Sequence, residues 1–319
     1  MPVLSYNQPM QKVLIIGAGE IGQAIAKILA KANRCIVDFW DSEPKKVLNQ
    51  KDLSVLVPSA DVIFLAIPSK AVRAVLSDIS GNVGRSVPVV VLAKGLEINT
   101  GKTMDQVLKE YLGRKRGMLL YGPMIAEEIS AGKGTAAVLA AYSARMAKKV
   151  IALFVCHDLR LTFSTDMRGV ALTGVLKNIY SVGLGIVHGL DLGCNFRGWY
   201  VAQACLEMGE IVPRLGGKRE TVYGQSGVGD LVATGFSSDS RNHQVGYNLA
   251  KEGKNEMESE GTKALAMVCK HLGNSSHYPL LNVLRLVIIE KRSVPEYFPT
   301  AICACGATDA KQMVCETPR

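Results

Sequence analysis

A glycine-rich turn near the start of the chain constrains the fold more than any other feature. The continuous apolar run Lys12–Ile16 ends at Gly17, and the glycines Gly17, Gly19 and Gly22 form the pattern G-x-G-x-x-G. From Glu20 onwards, apolar residues recur at the spacing of one helix face. A short apolar run without alternation is typical of a strand that is buried on both faces of a parallel sheet. The segment therefore predicts the strand–turn–helix unit that opens a doubly wound α/β domain.

The same turn predicts a dinucleotide site. Its three glycines permit a tight turn, close approach of a pyrophosphate to the backbone, and close packing of helix on strand, while the helix N-terminus presents free N–H groups. Asp41 lies 19 residues after Gly22, at the end of the next apolar run, where a carboxylate can bind ribose hydroxyls. The predicted cofactor positions here are Gly17, Gly19, Glu20, Ile21, Gly22 and Asp41.

The choice between NAD and NADP stays open at this point. The charge of Asp41 would repel a 2′-phosphate and so favours NAD. Lys45 and Lys46 follow closely, and two ammonium groups work against that preference.

Apolar runs alternate with helical patterns through the first half of the chain. The predicted further strands are Cys35–Trp40, Asp61–Ile67, Val87–Ala93, Met118–Tyr121, Ala136–Ala140 and Leu159–Ser164. Thr103 and Gln106 form a capping box that predicts a helix start. After about Thr165 only helical patterns continue. We therefore predict a Rossmann-type, mainly parallel sheet in residues 1–165 and an all-helical substrate-binding domain in residues 166–319, with a loosely packed tail from Ser293.

The stretch Val170–Gly189 is almost wholly apolar and long enough for about five helical turns. Lys177 and Asn178 near its middle would cost several kcal/mol in lipid. This favours a buried helix of the second domain over a membrane span. A lysine there must reach water or face a group that needs a positive charge or a proton.

Charge and cysteine content narrow the function classes. The net charge of +9 is dispersed, and the two basic clusters, Arg114–Arg116 and Lys148–Lys149, contain no aromatic residues. This disfavours nucleic-acid binding and suits small phosphorylated ligands. Eight cysteines in 319 residues do not make a disulfide scaffold, and Cys303, Cys305 and Cys315 lack a fourth ligand at zinc-finger spacing, so we expect no metal. The N-terminus has no secretory pattern, so we expect a cytoplasmic protein.

An ordered set of motifs resembles a known family. GAGEIG, AIPSKAV, AKGLE, YGPMIAEE, VLKN, GVGDLVAT, SRN and EG occur in this order between about Val13 and Leu284. The set resembles the bacterial NAD(P)-dependent glycerol-3-phosphate dehydrogenases. The resemblance implies a cofactor, NAD or NADP, and reversible hydride transfer to dihydroxyacetone phosphate. The product would be sn-glycerol 3-phosphate, which feeds glycerophospholipid synthesis.

The resemblance also implies roles for individual residues. Lys177 matches the family's catalytic lysine, and Lys94 matches a lysine that contacts both cofactor and substrate. Further cofactor contacts carried over are Ala126, Arg241 and Glu260. The substrate-binding set is Lys94, Gly122, Lys177, Asp230, Thr234, Ser240, Arg241 and Asn242.

Elementary chemistry supports these roles. Reduction of a ketone needs a proton donor at the oxygen, and the proton affinity of a desolvated lysine such as Lys177 can be tuned for that step. Lys94 would stabilise the developing alkoxide, and Asp230 would orient Lys177 or hold a substrate hydroxyl. Arg241 offers a bidentate fork for a phosphate. The alternative is that Arg241 begins a capping turn and that Lys177 forms a purely structural ion pair.

Four positions depart from the family pattern. Ile21 replaces an aromatic residue, Met124 a small hydroxyl residue, Ala171 an acidic residue, and Phe196 the middle residue of N-T-R. These changes leave two other functions open: a divergent reductase for another small keto acid or imine, and a nucleotide-binding regulatory protein without turnover. Because helical second domains often dimerise, a homodimer is also expected.

Overall fold

The computed structural model describes residues 10–154, 158–254, 257–273 and 275–303. These residues form two compact units. The first unit contains the described residues up to Ala93 together with Thr103–Met167. The second contains Lys94–Lys102 and the described residues from Arg168 onwards.

The first unit is built on a seven-stranded sheet with the order β2-β1-β3-β4-β5-β6-β7. Its strands are β1 (Gln11–Ile16), β2 (Cys35–Trp40), β3 (Val62–Leu65), β4 (Val89–Val91), β5 (Gly117–Tyr121), β6 (Thr135–Ala141) and β7 (Leu159–Ser164). All neighbouring strands are parallel except β5 and β6, which are antiparallel. The predicted mainly parallel, Rossmann-type sheet is confirmed.

Helices connect these strands. They are α1 (Glu20–Ala32), α2 (Leu53–Ser59), α3 (Ser69–Ile79), α4 (Met104–Arg116), α5 (Ala126–Ser130) and α6 (Ala144–Ile151). The predicted capping box is present: the backbone N–H of Thr103 donates to Gln106 Oε1 at 3.1 Å. Alternate residues of the strands, such as Val13 and Ile15, pack with Ile25 and Leu29 of α1 in an aliphatic core. This core holds the carboxyl end of β1 and the start of α1 in place.

The second unit consists of helices in the described residues. They are α7 (Met167–Gly189), α8 (Gly193–Arg214), α9 (Asp230–Phe236), α10 (Arg241–Glu252), α11 (Glu260–Leu272), α12 (Pro279–Ile288) and α13 (Val294–Cys303). A 3-10 turn (Arg219–Tyr223) and a π-helical turn (Gln225–Gly229) join α8 to α9. The predicted helical character of this half is confirmed.

Helix α7 is the predicted apolar stretch, extended by three residues at its start. It is the one helix in the described part of the chain that is long and apolar enough to cross a membrane, and its apolar window is completely buried inside the protein. Complete burial of an apolar helix is typical of a helix in the core of a protein.

At two glycines, the backbones of other helices pack directly against the backbone of α7. A Cβ at Gly246 of α10 would lie 1.8 Å from Val182 O, and one at Gly261 of α11 would lie 2.3 Å from Asn178 O. Only glycine fits such contacts. The middle of α10 and the start of α11 therefore lie beside the middle of α7, close to Lys177.

The prediction of a loosely packed tail from Ser293 is wrong for the residues that the structure describes. Val294–Cys303 form α13, in which Phe298 is fully buried in the core of the second unit. Phe298 stacks on Tyr200 of α8 with a centroid distance of 6.3 Å, and this packing outweighs Pro299 and the weak periodicity. Cys305 and Cys315 lie outside the described residues.

Candidate active site

Two lysines converge on one buried carboxylate in the second unit. Asp230 Oδ2 lies 2.6 Å from Lys94 Nζ, and Asp230 Oδ1 lies 3.1 Å from Lys177 Nζ. The side chains of Lys177 and Asp230 are 6% and 3% exposed, and that of Lys94 is 18% exposed. Two ammonium groups and one carboxylate leave the cluster with a net charge of +1. Such a cluster attracts an anionic ligand or a developing negative charge.

Local structure fixes each member of the cluster. Lys177 lies on α7, and its Nζ also donates to Thr234 Oγ1 at 2.8 Å. Thr234, one turn after Asp230 on α9, donates in turn to Asp230 Oδ1 at 3.1 Å. The π-helical turn directly before Asp230 is an irregularity of the kind that often accompanies functional sites.

The electrostatics of the cluster tune Lys177. Burial, with help from the charge of Lys94, lowers the pKa of Lys177 to about 8 although Asp230 acts in the opposite direction. Burial alone would raise the pKa of Asp230, but the two lysines outweigh it and the pKa lies below its usual value. At neutral pH the carboxylate is ionised, and Lys177 is protonated but close to its titration range. A proton donor is most effective when its pKa lies near the pH of the reaction.

Asn178 connects this cluster to α10 and α11. Its Nδ2 donates to Lys94 O at 2.9 Å, and its Oδ1 accepts from Asn242 Nδ2 at 3.0 Å. Asn242 Oδ1 accepts from the backbone N–H of Gly261 at 3.0 Å. Sequence reasoning noticed Asn178 as the neighbour of Lys177 but did not include it among the site residues. Its place in the L-K-N motif was the available signal.

The remaining predicted residues of the second unit lie at helix starts. Ser240 caps α10, where its Oγ accepts from His243 N at 3.4 Å. Arg241, the first residue of α10, is exposed and forms no ion pair with any residue in the described ranges. Glu260 is the first residue of α11 and precedes Gly261. The capping turn is therefore present at Ser240, and the role of Arg241 as a phosphate fork stays a prediction.

The glycine-rich turn of the first unit has the features of a dinucleotide cradle. Gly17 has φ +107°, and a Cβ there would lie 2.3 Å from Ala66 O. A Cβ at Gly22 would lie 2.0 Å from Gly17 O, whereas the space beside Gly19 is open. No side chain caps the N-terminus of α1. Free N–H groups beside open space fit a pyrophosphate.

Asp41 supports this turn directly. Its Oδ2 accepts from the N–H of Ala18 at 2.8 Å, and its Oδ1 accepts from the N–H of Glu43 at 2.9 Å. These hydrogen bonds and the charge of Lys46 outweigh burial and lower the pKa of Asp41 from its usual value. An ionised carboxylate therefore stands at the end of β2, as the sequence predicts, and it also fastens the turn.

The other predicted residues of the first unit occupy ends of elements. Gly122, with φ +153°, directly follows β5, and Ala126 is the first residue of α5. Ile21 and Met124 both pack on the aliphatic core of this unit. Their apolar character is therefore used for packing.

Two family models match most of this chain. Residues 42–147 match the model of the NAD-dependent glycerol-3-phosphate dehydrogenase N-terminus, and residues 166–298 match that of its C-terminus. A relative from Mycobacterium bovis, named glycerol-3-phosphate dehydrogenase (NAD(P)+) 1, is 32% identical over 77% of this chain and 78% of its own length. The chain belongs to the NAD-dependent glycerol-3-phosphate dehydrogenase family.

Other matches agree with membership of the glycerol-3-phosphate dehydrogenase family. A relative of that name from Acinetobacter baylyi is 31% identical over 91% of this chain and 89% of its own length. The crystal structure of a glycerol-3-phosphate dehydrogenase from Coxiella burnetii superposes with a TM-score of 0.81, at 26% identity, over 92% of this chain and 99% of that one. Residues 3–78 also match the NAD-binding domain of D-isomer specific 2-hydroxyacid dehydrogenases.

Proposed function

We propose that this member of the family reduces dihydroxyacetone phosphate to sn-glycerol 3-phosphate with NADH or NADPH, reversibly. The observation that carries the proposal is the buried pairing of Lys94 and Lys177 on Asp230, at 2.6 and 3.1 Å. Two cations face one carboxylate at a largely buried site. Such a site favours an anionic substrate whose carbonyl oxygen gains negative charge during the reaction.

Lys177 is the proposed proton donor. Two of the N–H groups of its Nζ are held by Asp230 Oδ1 and Thr234 Oγ1, so the direction of the third N–H is fixed. With a pKa of about 8, its ammonium group gives up a proton far more readily than an ordinary lysine. In the reverse direction the neutral amine accepts the proton from the alcohol.

Lys94 is the proposed stabiliser of the substrate oxygen. Its backbone is fixed by Asn178, and its ammonium is fixed by Asp230. A positive charge placed in advance, where solvent access is limited, stabilises a developing alkoxide more than water would. Asp230 balances part of the charge and holds one ammonium group on each of its two carboxylate oxygens.

The start of α10 is the proposed phosphate site. Arg241 lies exposed at the first position of the helix, Asn242 is tied to Asn178, and Ser240 supplies a hydroxyl. A helix N-terminus with a guanidinium group binds phosphate through N–H donors, charge and dipole. The bond between Asn242 and Asn178 fixes the distance from this phosphate site to Lys177.

The first unit is the proposed cofactor site. Gly17 and Gly22 shape the turn, Gly19 leaves open space beside the uncapped N-terminus of α1 for the pyrophosphate, and the carboxylate of Asp41 would bind ribose hydroxyls. When bound, the cofactor supplies the hydride to the carbonyl carbon. Glu20, Ile21, Ala126, Arg241 and Glu260 are the further proposed contacts, together with Lys94.

We further propose a cytoplasmic, homodimeric enzyme whose product enters glycerophospholipid synthesis. Cys35, Cys194, Cys205 and Cys269 are free thiols, as a reducing compartment allows. The complete burial of the apolar window of α7 supports a core helix rather than a membrane span for this stretch. Light scattering of the purified protein tests the dimer directly.

The direct test mixes the purified protein with dihydroxyacetone phosphate and either NADH or NADPH, and follows the absorbance of the reduced cofactor. The proposal predicts oxidation of at least one cofactor that depends on the ketone. If a cofactor binds but no ketone-dependent oxidation occurs, the chain is a nucleotide-binding protein without this activity.

A second test separates this activity from that of a divergent reductase. At saturating cofactor, Arg241→Ala should raise the KM for dihydroxyacetone phosphate about tenfold or more, because a phosphate–guanidinium contact is lost, and should change the KM for unphosphorylated dihydroxyacetone far less. Lys251→Ala, an exposed cation in the last turn of the same helix, is the matched control. An unchanged KM in Arg241→Ala would favour a substrate without phosphate.

A further inference from the structure

The segment Asp41–Lys46, directly after β2, contains two carboxylates and two lysines, and the carboxylates have different surroundings. Asp41 is only 8% exposed, and both its carboxylate oxygens accept backbone N–H groups. Its backbone is fixed as well, because Asp41 N donates to Gln50 Oε1 at 2.7 Å and Gln50 Nε2 donates to Asp41 O at 3.0 Å. Asp41 is therefore a fixed, ionised group.

Glu43 binds both lysines of this segment, Lys45 and Lys46. Its Oε1 lies 2.7 Å from Lys46 Nζ, and its Oε2 lies 3.7 Å from Lys45 Nζ. Lys46 Nζ also lies 4.0 Å from Asp41 Oδ1. Hydrogen bonding to Glu43, with the charges of Glu43 and Asp41, raises the pKa of Lys46 above its usual value. The four charges cancel, and each ammonium has a carboxylate partner.

A cavity of about 340 Å³ borders this segment; Lys46, Gln50, Asp38 and Lys51 are among its lining residues, whereas Asp41 and Glu43 are not. For a dinucleotide bound at the glycine-rich turn, we expect the adenosine ribose at the end of β2, beside Asp41. A 2′-hydroxyl can donate to the carboxylate of Asp41, whereas a 2′-phosphate brings about two negative charges to the same place.

We propose that Glu43 is a specificity-determining residue that makes the enzyme select NAD(H) over NADP(H). By pairing with Lys45 and Lys46, it withholds the two cations that would otherwise neutralise a 2′-phosphate. The carboxylate of Asp41 repels a 2′-phosphate, and Glu43, by pairing with Lys45 and Lys46, prevents these lysines from neutralising that phosphate. This inference rests on the proposed function, because it assumes that the glycine-rich turn binds a nicotinamide dinucleotide.

The test measures the dissociation constants of NADH and NADPH by calorimetry, without substrate and at low ionic strength. The wild type should bind NADH about tenfold or more tightly than NADPH. Glu43→Gln should tighten NADPH binding about three- to tenfold, the size expected for one unit charge a few ångströms from a phosphate in a high dielectric. NADH binding should change less than about twofold, because its ribose carries no charge.

Two further variants make the result specific to this segment. Lys45→Gln and Lys46→Gln added together to Glu43→Gln should abolish the gain in NADPH affinity, because both freed ammonium groups are then absent. Asp78→Asn removes an equal charge from an exposed position on α3 and should leave both affinities unchanged. Equal gains in Asp78→Asn and Glu43→Gln would indicate a general charge effect and overturn the proposal.

The outcomes also separate this proposal from the proposed function. If the wild type binds NADPH as tightly as NADH, or if Glu43→Gln leaves the NADPH constant unchanged, only the role of Glu43 is overturned. If the wild type binds neither nucleotide, the proposed function fails and the inference fails with it.

Discussion

Asp230 and Glu207 are two carboxylates of the second unit that are buried to a similar degree, 2% and 7% exposed, and differ in what surrounds them. Asp230 faces two lysines. Glu207, on α8, accepts from Tyr180 Oη at 2.7 Å and from the backbone N–H groups of Leu280 and Leu281 at 2.6 and 3.0 Å. Asp230 is paired with two ammonium groups, which carry exchangeable protons. Glu207 instead connects helices α7, α8 and α12.

The difference appears in their proton affinities. Burial raises the pKa of Glu207 to about 7, although its three hydrogen bonds act in the opposite direction. The lysines lower the pKa of Asp230 despite its burial. Burial alone therefore does not identify a catalytic carboxylate; converging cations do. Both arrangements use α7, where Lys177 and Tyr180 are three residues apart.

The largest expected effect is on turnover in Lys177→Met, which keeps the length of the side chain and removes the proton. The kcat should fall about 10²- to 10⁴-fold, the usual contribution of general acid catalysis, while NADH binding is retained. Steady-state rates and a fluorescence titration of the cofactor measure the two quantities. A loss of less than about tenfold would place the proton donor elsewhere.

Stability should respond more strongly at Asp230 than at Glu207. Asp230→Asn removes the carboxylate that Lys94 and Lys177 share and should reduce the free energy of unfolding by about 3–5 kcal/mol. Glu207→Gln keeps acceptor and shape, and should reduce it by about 1–3 kcal/mol. Chemical denaturation of both variants is the measurement. The reverse order would contradict the assignment of Glu207 to a purely structural role.

Glu207 should make stability depend on pH. Its pKa is raised to about 7 in the folded protein, so the folded state binds more protons than the unfolded state between its ordinary value and 7. Stability from this group is therefore complete at low pH and is lost as pH rises through 7, by at most about 3 kcal/mol. The difference in unfolding free energy between wild type and Glu207→Gln, measured from pH 4.5 to 8, should shrink accordingly. A difference that is independent of pH would refute it.

The smallest expected effect is that of Tyr180→Phe. The change removes one hydrogen-bond donor to Glu207 and should reduce the free energy of unfolding by about 1 kcal/mol, without a change in kcat. Thermal denaturation and the steady-state assay check the two parts. A change in kcat comparable to that of Lys177→Met would show that the two functions of α7 are not separate.

Much of the fold could be predicted because local patterns determine it. The bounds predicted for β2 and β7 are those observed, and the turn after β1 follows from three glycines. The antiparallel direction of β6 is not visible locally, since an apolar strand has the same composition in either direction. Helix α13 was missed because long-range packing of Phe298 stabilises it.

The residues of the candidate site also fall into two groups: those that local sequence patterns predict and those that depend on long-range contacts. The turn at Gly17 and the carboxylate of Asp41 could be predicted from spacing, because neighbours in sequence form them. The pairing of Lys94 with Asp230 joins residues 136 positions apart, and only the resemblance indicated it. The role of Asn178 as a bridge, and that of Glu207, depend on contacts between helices that no local pattern encodes.

The dependence of kcat on pH in both directions tests the central claim, that Lys177 exchanges the proton, most directly. With a pKa of about 8, Lys177 is protonated below that pH and neutral above it. Ketone reduction should therefore fall about tenfold per pH unit above pH 8, whereas alcohol oxidation should rise up to about pH 8 and then level off. Profiles without opposite inflections between about pH 7 and 9 would contradict the account.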